Sequence, residues 1–119
     1  NSPQLFEIAG GAAEGVYAFS NPTAEFLPAA ASFIESYRAE YGQAPGPYAP
    51  LNYDGLKLLA WAMEKAGTTD SAAVVDALAT ADGESWLTGP ISFTDENTLA
   101  RSNFIILQGD DGAWTYFEN

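Results

Sequence analysis

A mixed α/β fold is what this sequence predicts, and three observations predict it. The run Gly15 to Ser20 has strand character, with Val16 and Ala18 on one face and Tyr17 and Phe19 on the other. Two stretches between Phe26 and Ala66 repeat apolar residues at helical spacing. The closing stretch, Asn103 to Glu118, reads as two strands around a turn at Gly109-Asp110-Asp111-Gly112. The predicted architecture is therefore helices packed on a partial sheet, with a C-terminal β-hairpin.

At 119 residues the chain has the length of one domain. Domains of that size bury about two-thirds of their unfolded surface, enough for a core. With 47% hydrophobic residues, the sequence does not read as a disordered tail.

The elements follow in order. Asn1 to Gly10 reads as a short helix, capped by Ser2, with Pro3 in its first position and Gly10-Gly11 ending it. The strand Gly15 to Ser20 has two apolar faces, so it is expected in the interior of a sheet covered on both sides. Asn21-Pro22 closes it. A helix is expected from about Leu27 to Tyr41, because Pro28 is tolerated only in a first turn. Phe26, Ala30, Phe33, Ile34, Tyr37 and Tyr41 form its stripe, and Gly42 stops it. Gln43 to Tyr48 is a turn-rich loop.

The central helix runs from about Pro50 to Ala66, and Gly67 ends it. Leu56, Leu59, Ala60, Met63 and Ala66 read as its buried face, widened by Tyr53, Leu58 and Ala62. Asp54, Lys57, Glu64 and Lys65 read as its solvated stripe. Trp61 falls within that stripe, where it either lies over neighbouring side-chain stems or marks a contact with another surface. Thr69-Asp70 caps a shorter helix, Ser71 to Ala79, expected to bury Val74, Val75 and Leu78. Asp82-Gly83 is expected to turn the chain. Gly89-Pro90 starts a short strand, Ile91 to Phe93, and Thr94 to Arg101 reads as irregular.

Composition narrows the function. Sixteen acids against four bases give a net charge of −12, which repels nucleic acid and anionic lipid. No Cys or His is present, so thiol nucleophiles, thiolate zinc sites and imidazole bases are all absent. Carboxylate pairs such as Asp95-Glu96 and Asp110-Asp111 fall in expected turns, where solvation is the ordinary fate. The sequence shows no G-x-x-x-x-G-K phosphate loop. An enzyme is not expected, and neither a catalytic residue, a metal site nor a cofactor is assigned. No starting Met or apolar leader opens the sequence, as expected of a mature exported protein or of a piece of a longer one.

Several segments, in order and in spacing, carry a resemblance. They are AGGAAEGVY (Ala9 to Tyr17), FIESYRAEYGQAP (Phe33 to Pro45), GPYAPLNYDGLKLLAWAMEKAGTTD (Gly46 to Asp70), LTGPISFTDEN (Leu87 to Asn97) and FIILQGDDGAWTYF (Phe104 to Phe117). Together they resemble the C-terminal part of the branched-chain amino-acid (Leu/Ile/Val) binding proteins of bacterial ABC importers, which are type I periplasmic binding proteins. The resemblance implies a fragment of a two-lobed fold whose ligand binds in the cleft between lobes. It places residues 1–20 and 103–119 in the second lobe and residues 23–93 in the first. Residues 20–22 and 94–102 are then the hinge candidates. The family's turn after G-P-x-S/T-F usually holds a Gly; here Asn97 is the residue expected to take the left-handed conformation.

The resemblance assigns one ligand-binding position, Tyr48 in GPYAP, which matches the aromatic that faces the ligand side chain from the first lobe. A Tyr just before a helix start presents a flat apolar face and a hydroxyl, or else packs its loop onto its own helix. The family's carboxylate-binding and ammonium-binding residues would lie upstream of Asn1. Glu14 reads as a strand-start carboxylate rather than an ammonium ligand. The implied function is the extracytoplasmic, periplasmic solute-binding component of an importer, with an amino acid or related carboxylate as ligand and an ABC permease as partner. The alternative is a ligand-sensing receptor or regulator of the same fold. The chain alone is expected to leave strand edges open, and so to form a dimer or a strand-swapped assembly, or else to be a fragment whose partner segment lies outside it.

Overall fold

The computed structural model describes residue 2, residues 4–101 and residues 104–117. Pro3, Ser102, Asn103 and Glu118, which carried the expected first helical position, a hinge end and the two hairpin ends, lie outside the described residues. The chain forms two compact units, Asn1–Pro22 with Phe104–Asn119, and Thr23–Asn103. No helix among the described residues is long and apolar enough to cross a membrane.

The first unit begins with α1, Gln4–Ala9, which continues as a 3-10 turn over Gly10–Ala13. Ser2 caps α1, its Oγ accepting from the Gln4 N–H at 3.3 Å. Three strands follow in the sheet order β1-β4-β5, with β1 at Tyr17–Ser20, β4 at Ile105–Asp110 and β5 at Ala113–Tyr116. Both pairings are antiparallel, running from Tyr17↔Gln108 to Ser20↔Ile105 and from Leu107↔Tyr116 to Asp110↔Ala113.

Side-chain alternation sets Leu107 and Gly109 on the face that α1 covers. Leu107 is fully buried, and Phe6 of α1 meets Trp114 edge-on at 5.1 Å between ring centroids. At Gly109 a Cβ would stand 2.3 Å from the Ala13 carbonyl oxygen, so only glycine fits against that backbone.

Two expectations for this unit are corrected. β1 is an edge strand, not an interior one, and Phe19 is 81% exposed. The physical reason is that an antiparallel sheet needs only one covered face, and here α1 supplies that one. The hairpin turn is also tighter than expected. Gly109 and Asp110 pair with Trp114 and Ala113, leaving Asp111-Gly112 as a two-residue turn. Both turn residues have positive φ, 49° and 75°, the twist-matched conformation of short hairpins.

The second unit enters through two 3-10 turns, Ala24–Phe26 and Pro28–Ala30, before α2 at Ala31–Tyr41. The α-helix thus starts later than expected. Pro28 opens a 3-10 turn instead, a common form of helix entry. Gly42 ends α2 in the left-handed conformation, its N–H donating to the Arg38 carbonyl at 2.9 Å. The rings of Phe33, Tyr37 and Tyr41 run along α2 with successive centroid distances of 5.9 and 4.6 Å.

Helix α3 spans Ala49–Ala66 and α4 spans Ser71–Leu78. Left-handed Gly67 ends α3, and the Asp70 carboxylate caps α4 by accepting from the Ala73 N–H at 3.1 Å. The core between these helices is Ala62, Val74 and Ala77, with Trp61, Met63, Ala66 and Leu78 packed around it. Trp61 is half-buried at the edge of this core, and the Lys65 Nζ sits 4.7 Å from its ring centroid.

Three expectations are corrected here. The buried residues of α3 are Pro50, Asp54, Leu58 and Ala62, whereas Leu56 is 69% exposed and Leu59 and Ala60 are also exposed. α4 buries Ala77 and leaves Val75 exposed. Asp82-Gly83 belongs to a strand, β2 at Asp82–Glu84, paired antiparallel with β3 at Ile91–Ser92. Beyond β3, Phe93 bridges Leu99, and the turn between them is closed by the Thr94 N–H donating to the Thr98 carbonyl at 2.8 Å. Asn97 takes the expected left-handed conformation there, with φ 59°.

Candidate functional site

The candidate site is the start of α3. Gly46-Pro47-Tyr48 leads into it, and the Ala49 N–H donates to the Gly46 carbonyl at 3.0 Å. Tyr48 is the N-cap residue, and its carbonyl accepts from the Asn52 N–H at 3.1 Å. Pro50 in the first turn has no N–H to satisfy and is buried. The backbone under Tyr48 is thus fixed by local hydrogen bonds and a buried ring. The Tyr48 side chain itself is 65% exposed. Tyr48 thus stands largely open to solvent at the start of α3.

One turn further on, Phe33 of α2 meets Tyr53 at 5.2 Å between centroids, and the Lys57 Nζ lies 5.5 Å from the Tyr53 ring. The Phe33–Tyr53 contact joins α2 to the first half of α3, while the Lys57–Tyr53 contact lies within α3 itself. On the next position, Asp54 is 2% exposed. Its carboxylate accepts from the Leu87 N–H at 3.0 and 3.2 Å, from the Thr88 N–H at 2.7 Å and from the Thr88 hydroxyl at 2.6 Å. A buried carboxylate is costly unless its lone pairs are filled, and here they are. The clamp ties α3 to the segment that precedes β3.

Asp54 is a residue that sequence reasoning misplaced, on the solvated stripe. A usable signal was present: Pro50, Leu58 and Ala62 stand four and eight residues away, so Asp54 shares their face. Glu14, in the other unit, accepts from the Asp111 N–H through Oε2 and from the Gly112 N–H through Oε1, both at 3.0 Å. Its role is to hold the hairpin turn. Among the described residues no group of three or more carboxylates gathers to hold a metal ion.

A family model described as a periplasmic binding protein matches residues 2–113. The chain belongs to the periplasmic binding protein family. Among its relatives is the Leu/Ile/Val-binding protein homolog 7 of Brucella abortus, 33% identical over 91 residues that make up 73% of this chain and 23% of the relative. The fold is that of a leucine binding protein from Thermotoga maritima, with a TM-score of 0.81 at 23% identity over 99% of this chain and 34% of that one. A branched-chain amino acid transporter substrate binding protein from Streptococcus pneumoniae, solved in complex with isoleucine, aligns with a TM-score of 0.75 at 26% identity, over 95% of this chain and 32% of that one. The chain therefore spans about a quarter of the curated relative and about a third of these solved structures. Its mixed helices and two small sheets are those of the type I periplasmic binding protein fold.

Proposed function

We propose that this chain supplies part of the extracytoplasmic solute-binding component of an ABC importer for branched-chain or related amino acids. The observation that carries the reading is its 33% identity to a Leu/Ile/Val-binding relative over 73% of the chain. Tyr48 is the residue that touches ligand: it presents its ring and hydroxyl from the rigid start of α3. An apolar amino-acid side chain lies well against such a ring. The role is binding and delivery to a permease, with no catalysed reaction.

In this reading, residues 1–20 and 103–119 belong to one lobe and residues 23–93 to the other. The connections 20–22 and 94–102 act as hinges. The division of the chain into units Asn1–Pro22 with Phe104–Asn119 and Thr23–Asn103 supports that assignment. Closure of two lobes over a ligand would exclude water around it. Import is favoured over sensing because the isoleucine-bound neighbour is a transporter component.

The test is a chimera: the Brucella abortus relative with its matching segment replaced by the corresponding residues of this chain. Leucine, isoleucine and valine are titrated calorimetrically, with glucose as control. Saturable binding of the branched-chain amino acids and none of glucose is expected. A folded chimera that binds none of the three amino acids overturns the reading.

A further inference from the structure

Helix α3 carries Tyr48 at one end and is packed into the α4 core near the other. Ala62, in its second half, is fully buried in the cluster it forms with Val74 and Ala77. Tyr48 stands about 21 Å before Ala62 along the axis, at 1.5 Å of rise per residue. A tilt of only about 5° about Ala62 would move the helix start by about 2 Å. Binding groups need to be held within about 0.5 Å of their working place. The α4 core is therefore too far from Tyr48 to fix it alone.

Asp54 sits between the two, about 9 Å from Tyr48 and about 12 Å from Ala62 along the same axis. Its carboxylate is 2% exposed and accepts from the Leu87 N–H, the Thr88 N–H and the Thr88 hydroxyl at distances between 2.6 and 3.2 Å. Short charge-assisted bonds are directional, so they set an angle as well as a distance. The ring contact between Phe33 and Tyr53, in the same half of α3, is a tilted pair 5.2 Å apart on a Tyr that is itself 37% exposed. Aromatic pairs accept a range of offsets. The apolar contacts of Pro50 and Leu58 on the Asp54 face are non-directional. Stability alone does not call for a carboxylate here, since well-packed apolar groups commonly replace a buried ionic one without loss.

We infer that Asp54 is a positioning residue for ligand binding: held by Leu87 and Thr88, it sets the tilt of α3 and so the place of Tyr48 in the site. Asp54 acts through Tyr48 and makes no ligand contact of its own. The inference rests on the reading of Tyr48 as the residue that touches ligand.

The test is a double-mutant cycle in the Brucella abortus chimera, with isoleucine binding followed by calorimetry. Thr88→Val removes the hydroxyl donor and keeps the shape of the side chain. It is expected to raise Kd about fivefold at unchanged stoichiometry, but less than about twofold when Tyr48→Ala is also present. Thr88→Ser keeps the hydroxyl and should bind as the parent does. Asp54→Asn should act more strongly than Thr88→Val, with the same dependence on Tyr48. A Kd unchanged by Thr88→Val and by Asp54→Asn overturns the inference. So does an equal rise whether or not Tyr48 is replaced, and so does a fall in stoichiometry with Kd unchanged, which is the mark of a folding role alone. If the Asp54→Asn chimera does not fold, the Thr88→Val and Thr88→Ser pair decides. Tyr48→Ala alone leaving Kd unchanged defeats the ligand reading and this inference with it; a Tyr48→Ala effect with none from Thr88→Val or Asp54→Asn defeats this inference only.

Discussion

The Asp54 carboxylate accepts both the backbone N–H and the hydroxyl of Thr88, at 2.7 and 2.6 Å. A third donor, the Leu87 N–H, completes the set. The residues stand 33 and 34 positions apart in sequence, so one buried side chain joins the middle of α3 to the segment leading into β3. Charge-assisted bonds of this kind are stronger than neutral ones, and losing the acceptor strands partly buried donors.

Asp54→Ala is therefore expected to lower stability by about 3 kcal/mol. Asp54→Asn should cost less but remain clearly destabilising, because an amide offers one acceptor oxygen instead of two. Urea unfolding followed by tryptophan fluorescence measures both. A midpoint for Asp54→Ala unchanged from the parent would show that the clamp contributes nothing.

Gly109 tests the other unit. An added methyl would meet the Ala13 carbonyl oxygen at 2.3 Å and Phe6 at 3.1 Å, and a backbone oxygen cannot move aside cheaply. Gly109→Ala is expected to destabilise by about 1–3 kcal/mol. Gly112→Ala is a useful contrast, since nothing crowds that position and only its positive φ of 75° opposes a side chain. Thermal melts of the two variants should place Gly109→Ala lower; the reverse order would contradict the packing argument.

The open edge of β1 invites pairing. Gly15 to Ser20 carries no charge or proline to discourage it, and Phe19 stands exposed beside it. The isolated chain is expected to show a concentration-dependent rise in mass by light scattering. Phe19→Lys should suppress that rise. A monomer across the full concentration range would contradict this expectation.

The contrast between what could be read and what could not has a physical pattern. Helix ends at Gly42 and Gly67, the Asp70 cap and left-handed Asn97 depend on chemistry within a few residues, and each stands where local rules put it. The buried side of α3 does not depend on local chemistry. Periodicity picks out Leu56, Leu59 and Ala60 as readily as Leu58 and Ala62, and only tertiary packing decides between them. Asp54 was hidden for the same reason, because its donors come from a distant segment. β2 was hidden because Asp82-Gly83-Glu84 has no apolar alternation and pairs through its backbone alone. Tyr48 came from family resemblance; its residues alone left open whether it packs its loop or faces a cleft, and the residue is largely exposed.

The central claim, that Tyr48 meets the ligand, is tested most directly by calorimetric titration of isoleucine into the Brucella abortus chimera and its Tyr48 variants. Tyr48→Ala is expected to weaken binding by about tenfold or more, equivalent to about 1.4 kcal/mol, and Tyr48→Phe to weaken it much less, because the ring face supplies most of the contact. A Tyr48→Ala chimera that binds isoleucine as tightly as its parent would contradict the account.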